Sequence, residues 1–208
     1  MNVLKLFTGR GTIGLACEIV LEEAGADYEV VRLDFSKEEQ RQPDYLAINP
    51  KSRVPALATD RGVITEAPAI VAYVAETHPA AKLAPFGDAF AMAELQAFNT
   101  YLCAWVHPAA AHRHRGYRWA DDPAAIADMR RKAPEVFAEA MGLIEAEYLK
   151  GPWVMGEAYT TADPYLYVVA SWLPRDGVDM ARFPRISEHF ARVGARPAVS
   201  KVLARIAG

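Results

Sequence analysis

Hydrophobic and polar positions follow two different periods in the first third of the chain. Short apolar runs at 2–7 and 28–35 are bounded by glycine or polar residues, which predicts β-strands. Between them, apolar residues recur on one helical face, and Gly25 ends the pattern. That face is formed by Ile13, Ala16, Cys17, Val20, Leu21 and Ala24. Strand, helix and strand in this order predict a parallel pair with a right-handed crossover.

A hairpin and a second helix follow this unit. The polar stretch 36–50 predicts a loop with a short helix. The runs PALAT and VIT flank DRG, which predicts a β-hairpin. Residues 67–77 predict a helix with Pro68 in its first turn, where a missing N–H has little cost. The order β-α-β, loop, β-β, α predicts a small mixed sheet with helices on its faces.

The pattern changes after His78. Residues 79–88 predict a linker, and from 89 onward the strand period is almost absent. Helices are predicted at 89–116, 123–149, 161–173, 184–195 and 197–206. Pro108 and Pro134 are expected to kink or split the helices that contain them. We therefore expect two domains, an α/β domain at 1–78 and an all-α domain at 89–208.

Charge and cysteine content narrow the possible functions. The net charge of the 208 residues is only −3, which argues against nucleic acid or an anionic membrane as the main partner. No apolar run approaches the roughly 20 residues needed to span a bilayer. Cys17 and Cys103 lack the spacing of a metal or redox site, so a reducing, cytoplasmic setting is expected. His107, His112 and His114 are not spaced as a helical ligand pair, and no metal is expected.

Three motifs carry a resemblance to a known family. They are NPKSRVPAL at 49–57, ITEAPAIVAYV at 64–74 and GEAYTTADPYL at 156–166. With these motifs the chain resembles the cytosolic glutathione transferases over nearly its whole length, and its pattern is most similar to the bacterial beta-class members. The resemblance implies a thioredoxin-like N-terminal domain followed by the all-helical C-terminal domain of that family. It also implies glutathione as co-substrate, a small electrophile as second substrate and a homodimer.

The resemblance implies a set of glutathione contacts in the first domain. Pro55 would follow a cis peptide bond, and the backbone of Val54 would pair with the peptide backbone of glutathione. Glu66 would meet the ammonium group, and the N–H of Ala67 at the start of a helix would bind the γ-glutamyl carboxylate. The glycine carboxylate would be near Lys37 and Arg53. The residues alone leave other readings open, namely a trans proline at a strand start, a solvated Glu66 and plain surface cations.

The group that stabilises the thiolate is harder to identify. In the resemblance, Ile13 stands where the beta class has its cysteine, and Thr8 stands where some classes use tyrosine. The Thr12 hydroxyl is one candidate to donate to the sulfur, although it would equally cap the first helix. The backbone N–H groups of Thr12 and Ile13 are the other candidate. Cys17 lies on the apolar helix face and is expected in the core.

The resemblance also assigns residues of the helical domain. Asn99 matches an asparagine that points at the sulfur, whereas the matching histidine position falls on Val106. His107 is one residue later, and one residue rotates a helical side chain by about 100°. His107 is therefore a candidate only if Pro108 unwinds the turn.

Aromatic and basic residues of the same domain suggest an electrophile pocket. Arg113 and Tyr117 belong to the run RHRGYRW, which would bind an acidic electrophile or form a solvated basic loop. Tyr101 and Trp105 would line an apolar pocket or belong to the core. Downstream, Thr160 and Asp163 resemble the family's helix-capping box, a stabilising device whose position is uncertain by one residue because Pro164 follows at once.

The resemblance, taken with these residues, implies two functions from different classes. The first is a glutathione S-transferase that activates the thiolate for attack on an electrophilic small molecule, or for reduction of a disulfide or peroxide. The alternative is a non-catalytic binding or regulatory protein on the same scaffold. A thiol–disulfide oxidoreductase that uses its own cysteines is disfavoured, because neither cysteine has a resolving partner nearby in the sequence.

Overall fold

The computed structural model describes residues 3–207, so Met1, Asn2 and Gly208, which fall within predicted segments, lie outside the described residues. The chain forms two compact units. One consists of the described residues up to Met92 together with those from Gly194 onward, and the other is Ala93–Val193. No helix within the described range is long and apolar enough to cross a membrane.

The first unit contains a four-stranded mixed sheet, as predicted. Its strands are β1 Leu4–Thr8, β2 Tyr28–Arg32, β3 Ala56–Thr59 and β4 Gly62–Thr65, in the order β2-β1-β3-β4. β1 is parallel to β2 and antiparallel to β3, and β3 and β4 form the predicted hairpin. β2 ends earlier than expected because the Asp34 side chain accepts the N–H of Ser36 and starts a 3₁₀ turn at Phe35–Lys37.

The helices account for most of the remaining chain. They are α1 Gly14–Glu23, α2 Pro43–Leu46, α3 Ala67–Thr77, α4 Ala89–Tyr101, α5 His107–Arg115, α6 Pro123–Leu143, α7 Ala162–Ala170, α8 Pro184–Gly194 and α9 Pro197–Ala207. π-helical turns at Leu102–Val106 and Ile144–Tyr148 extend α4 and α6.

Ion pairs tie helices to the first unit. Glu18 of α1 is completely buried and accepts two hydrogen bonds of 2.9 Å from the Arg32 guanidinium of β2. Arg196 and Lys201 hold α9 on α1 through Glu23 and Glu22, with nitrogen–oxygen distances of 2.5 Å in both pairs. These contacts explain why α9 belongs to the first unit, although it follows the helical stretch in sequence.

The two prolines inside the predicted helices behave differently. A π turn directly precedes Pro108, and the N–H of His107 bonds to the C=O of Leu102 five residues earlier. α6, in contrast, runs without a break through Pro134, so of the two predicted effects, a kink or a split, the split does not occur there. A proline removes only one backbone bond from a 21-residue helix, and the buried Phe137 and Met141 fix the segment that follows.

The capping box near α7 is one residue away from its expected position. The helix begins at Ala162, and Thr161 is its N-cap. The Asp163 carboxylate accepts the N–H of Thr160 at 2.7 Å and also bonds to Val154 N–H and His189 Nε2. The Thr160 hydroxyl accepts from Ala162 rather than from Asp163, because the Asp163 N–H bonds to the Thr160 carbonyl.

Candidate functional site

An open stretch of backbone precedes β3. The peptide bond between Val54 and Pro55 is cis, as the resemblance implied. The side chains of Tyr45 and Asn49 both donate to the carbonyl of Arg53 at 2.6 Å and fix the chain just before this bond. The N–H and C=O of Val54 form no hydrogen bond with any of residues 3–207. These two groups are available to pair with an extended peptide, as an additional strand would.

The start of α3 is also open. Glu66, its N-cap, has φ +72° and ψ +125°, a conformation that residues other than glycine rarely adopt. No side chain among the described residues caps the helix, so nothing in that part of the chain compensates the N–H of Ala67 and the positive end of the helix dipole. Backbone in a sparsely populated region is often found at ligand-binding sites. We define Val54, Pro55, Glu66 and Ala67 as the α3 corner.

Lys51 is a member of this region that the sequence prediction omitted. Its Nζ lies 2.5 Å from Glu66 Oε1 and 2.7 Å from Thr65 Oγ1. The Glu66 side chain is 60% exposed, so the pair is accessible from solvent. The sequence contained a signal for Lys51, since it lies in the same NPKSRVPAL motif as Arg53.

The two cations that the sequence did predict, Lys37 and Arg53, lie at the surface. Lys37 is 72% exposed and pairs with Asp34 at 3.3 Å. The Arg53 guanidinium is exposed and donates to the carbonyl of Ser52 at 3.0 Å. Neither of these contacts buries the charged group.

The Thr12 hydroxyl before α1 has no hydrogen-bonding capacity left. It donates its single proton to the Gly9 carbonyl at 2.9 Å and accepts the Gly14 N–H at 3.3 Å. Thr8 Oγ1 lies 3.2 Å away, and because the Thr12 proton is already used, Thr8 must be the donor in that bond. One donated and two accepted bonds saturate a hydroxyl, so this geometry favours the capping role of Thr12.

Thr8 and Ile13 differ in what they offer a ligand. Thr8 is fully buried, and its hydroxyl faces Thr12. A Cβ at Gly14 would overlap the Thr8 hydroxyl, so only glycine permits this close approach. The N–H of Ile13, at the N-cap of α1, forms no hydrogen bond with the described residues. Cys17 is fully buried, as expected, and burial raises the pKa of its thiol, so it stays protonated.

In the second unit, Asn99 and His107 lie on the same side of one helix. The Asn99 amide donates to Thr161 Oγ1 at 3.3 Å, and the His107 ring lies 4.8 Å from the Trp172 ring, at the other end of α7. The π turn at Leu102–Val106 adds one residue to a helical turn. His107, eight positions after Asn99, therefore takes the place on the helix surface that the seventh residue would have in a regular helix. This removes the offset expected for His107.

The state of these two side chains differs. Asn99 is fully buried, which does not favour its predicted contact with a ligand. His107 is partly buried, and burial together with the positive charges of Arg115, Arg175 and Arg118 lowers its pKa to about 4. Its imidazole is therefore neutral at pH 7, and a neutral imidazole both donates and accepts hydrogen bonds.

The four residues predicted to form an electrophile pocket have different surroundings. Tyr101 stacks on Tyr148 and donates to the Ala140 carbonyl. Trp105 lines a groove of about 350 Å³ between α5 and α6, whose other walls include His112 and Met129. Tyr117 is exposed on the 3₁₀ turn after α5. Arg113 lies against Gly177, away from the residues that line the groove.

Acidic, cysteine and histidine side chains are the usual protein ligands of metal ions. Among residues 3–207, no group of three or more is arranged to hold a metal ion.

Comparison with known proteins identifies the family. Residues 2–76 match the model of the protein family described as "Glutathione S-transferase, N-terminal domain". A solved glutathione transferase homologue from Sulfitobacter, with bound glutathione, is 43% identical, has a TM-score of 0.95 and covers 99% of each chain. The chain belongs to the glutathione S-transferase family.

Two further relatives of this glutathione S-transferase are bacterial proteins. Glutathione S-transferase GST-4.5 of Xanthomonas campestris is 28% identical over 96% of this chain and 97% of its own length. The solved bacterial beta-class glutathione S-transferase of Sphingomonas chungbukensis is 30% identical, with a TM-score of 0.84 and coverage of 97% and 98% of the two chains. The region matched by the N-terminal domain description contains both the α3 corner and the loop before α1.

Proposed function

We propose that this glutathione S-transferase binds reduced glutathione at the α3 corner and activates its thiol for attack on a small electrophile. The observation that carries the proposal is the open backbone of Val54 beside the uncapped start of α3. The glutathione bound to the Sulfitobacter homologue supports the choice of ligand.

Each end of glutathione has a proposed partner in the first unit. The cysteinyl backbone pairs with Val54, and the γ-glutamyl carboxylate accepts the N–H of Ala67. Glu66 binds the γ-glutamyl ammonium group, and Lys51 holds Glu66 in place through their 2.5 Å contact. Lys37 and Arg53 attract the glycine carboxylate from the surface. Charge-assisted bonds of this kind contribute about 1.5–3 kcal/mol each.

The thiolate is proposed to accept the backbone N–H of Ile13. This group is unpaired and lies at the positive end of α1, where a negative charge is stabilised. The saturated Thr12 and the buried Thr8 act as the support of this loop. The thiol proton leaves to solvent before the attack. The sulfur lone pair then forms a carbon–sulfur bond. In a substitution the leaving group departs with the electron pair of the bond that breaks, and in an addition the π bond breaks and its electron pair takes up a proton from solvent.

The same proposal covers the glutathione transferase class of the protein and the roles of two residues in the helical unit. We infer a beta-class-like enzyme in which Ile13 replaces the cysteine, supported by the similarity to the Sphingomonas enzyme. Within the helical unit, His107, neutral at pH 7, is proposed as a hydrogen-bonding group for the electrophile, and Asn99 supports the helix through Thr161. We also propose that the protein is cytoplasmic and forms a homodimer. Light scattering of the purified protein would test the dimer.

One observation favours a second function. No side-chain hydroxyl in the loop before α1 is free to bind the sulfur, and this is compatible with a non-catalytic protein that binds glutathione only. The two functions share the α3 corner and differ in whether the bound thiol is ionised.

The experiment that separates them measures binding and ionisation in the same sample. Calorimetric titration with reduced glutathione should give one saturable site, and no saturable heat at several millimolar would reject the proposed ligand. Thiolate absorbance of the bound glutathione, followed against pH, should show a pKa at least one unit below that of free glutathione. An unshifted pKa with intact binding would favour the non-catalytic protein.

A further inference from the structure

Basic side chains gather around the turn that follows α7 in the helical unit. Arg113 and His114 at the end of α5 contact residues of this turn, and Arg175 belongs to it. Arg115 and Arg118 follow on α5 and on the next 3₁₀ turn. We name Arg113, His114, Arg115, Arg118 and Arg175 the basic cluster.

A buried carboxylate organises part of the basic cluster. Asp176 is 1% exposed, and its Oδ1 accepts His114 Nε2 at 2.8 Å and Arg175 Nε at 3.0 Å. Its Oδ2 accepts Arg175 Nη2 at 3.0 Å. This bidentate pair fixes the Arg175 guanidinium but leaves Nη1 unused, and the side chain is 51% exposed. One edge of a fixed guanidinium therefore faces solvent.

Arg113 and Arg118 carry positive charge that no described residue neutralises in an ion pair. Arg113 lies flat against Gly177, where φ is +79° and an added Cβ would be 3.2 Å from Nη2. Within residues 3–207, neither Arg113 nor Arg118 forms an ion pair. This surplus is found in a chain whose net charge is −3, so it is a local feature. A local surplus of guanidinium groups attracts anions.

Arg175 of the basic cluster and His107 both lie near the Trp172 ring. The Arg175 guanidinium lies 5.7 Å from the centre of the Trp172 ring, and the His107 ring lies 4.8 Å from it. The positive charges of Arg115, Arg175 and Arg118 also act on His107, which helps to lower its pKa. An anion beside these guanidinium groups would lie close to a neutral imidazole that is able to donate a hydrogen bond.

We propose that the basic cluster binds a carboxylate group of the second substrate, so that the electrophile is a small carboxylate-bearing molecule. The planar fork of arginine fits an oxyanion with two parallel hydrogen bonds, which lysine does not provide. The identity of the ligand as a substrate rests on the proposed function. The binding of the anion itself rests only on the helical unit.

The test is a calorimetric titration of the full-length protein with maleate, a small dicarboxylate, without glutathione and at constant ionic strength. We expect saturable binding in the millimolar range or tighter, with no binding of the uncharged dimethyl maleate and weaker binding of inorganic phosphate. Arg113→Gln and Arg118→Gln should each weaken maleate binding about 10-fold. Arg131→Gln is the matched control, since it removes an exposed arginine of the same unit that pairs with Asp128.

The outcomes distinguish this inference from the proposed function. Equal maleate affinity in the wild type and Arg118→Gln, equal binding of the dimethyl ester, or tighter binding of phosphate would each overturn the carboxylate site. Arg118 is exposed, and its guanidinium lies 5.9 Å from the centre of the neighbouring Tyr117 ring, so its replacement is not expected to unfold the protein. Failure of glutathione to bind while maleate still binds would reject the proposed function and leave the anion site intact.

Discussion

Two helices of the first unit begin in opposite ways. At the start of α1, the hydroxyls of Thr8 and Thr12 and the N–H of Gly14 bond to one another. At the start of α3, no side chain caps the helix, and Glu66 extends into solvent towards Lys51. The first helix start is closed by its own side chains, whereas the second is open to a ligand. We infer that ligand binding uses both the Glu66 side chain and open backbone groups at α3, but only backbone at α1.

The sharpest test of the open helix start is Glu66→Gln, which keeps the size of the side chain but removes its charge. We expect glutathione affinity to fall about 10- to 100-fold, because a charge-assisted bond to the ammonium group becomes a neutral one. Calorimetry measures the dissociation constant. Glu29→Gln is the control, since Glu29 is an exposed glutamate of β2 that pairs with Lys5. Equal affinity of the Glu66→Gln protein and the wild type would remove Glu66 from the site.

The closed helix start is tested by Gly14→Ala. The added methyl group overlaps the Thr8 hydroxyl, so we expect the free energy of unfolding to fall by about 1–3 kcal/mol. Urea unfolding measures this change. Thr8→Ala in the same chain should recover part of the loss, because it removes the atom that is overlapped. Additive effects of the two substitutions would show that this contact does not constrain the loop.

Thr12→Val tests whether the Thr12 hydroxyl stabilises the loop before α1 or binds the thiolate. The variant loses the bonds to Gly9 and Thr8, so stability should fall by about 1 kcal/mol. The rate of glutathione conjugation, measured as kcat/KM, should change less than about threefold, because the hydroxyl has no bond left for the sulfur. A loss of 100-fold or more in kcat/KM would show that the hydroxyl binds the thiolate.

The smallest effect is expected for Lys37→Gln. Lys37 is 72% exposed and already pairs with Asp34, so its attraction for glutathione is screened by solvent. We expect glutathione affinity to fall by about twofold at low salt and not to change at 0.5 M salt. An effect that persists at high salt would mean a direct bond to the glycine carboxylate.

Local signals in the sequence predicted most of the first unit. The β-hairpin follows from DRG between two apolar runs, and α3 begins and ends at the predicted residues 67 and 77. The contact between Lys51 and Glu66 was missed because it joins residues 15 positions apart across the hairpin. The hydrogen bonds that saturate the Thr12 hydroxyl could not be predicted from the sequence either, because they depend on where the carbonyl of Gly9 points.

The helical unit shows a different limit of sequence prediction. Helix positions followed from the apolar period, but the two prolines gave opposite results in similar patterns. The π turn before Pro108 restores His107 to the side of Asn99, and no residue pattern specified that turn. The basic cluster was visible only as the run RHRGYRW, because Arg175 joins it from about 60 residues downstream through Asp176.

The most direct test of the central claim is an NMR titration of the isotopically labelled protein with reduced glutathione. The account predicts that the amide signals of Val54, Ala67 and Ile13 shift together and saturate with a single dissociation constant. These are the three backbone N–H groups proposed to bind the ligand. Saturable binding that leaves all three signals in place would contradict the account, because glutathione would then bind elsewhere on the protein.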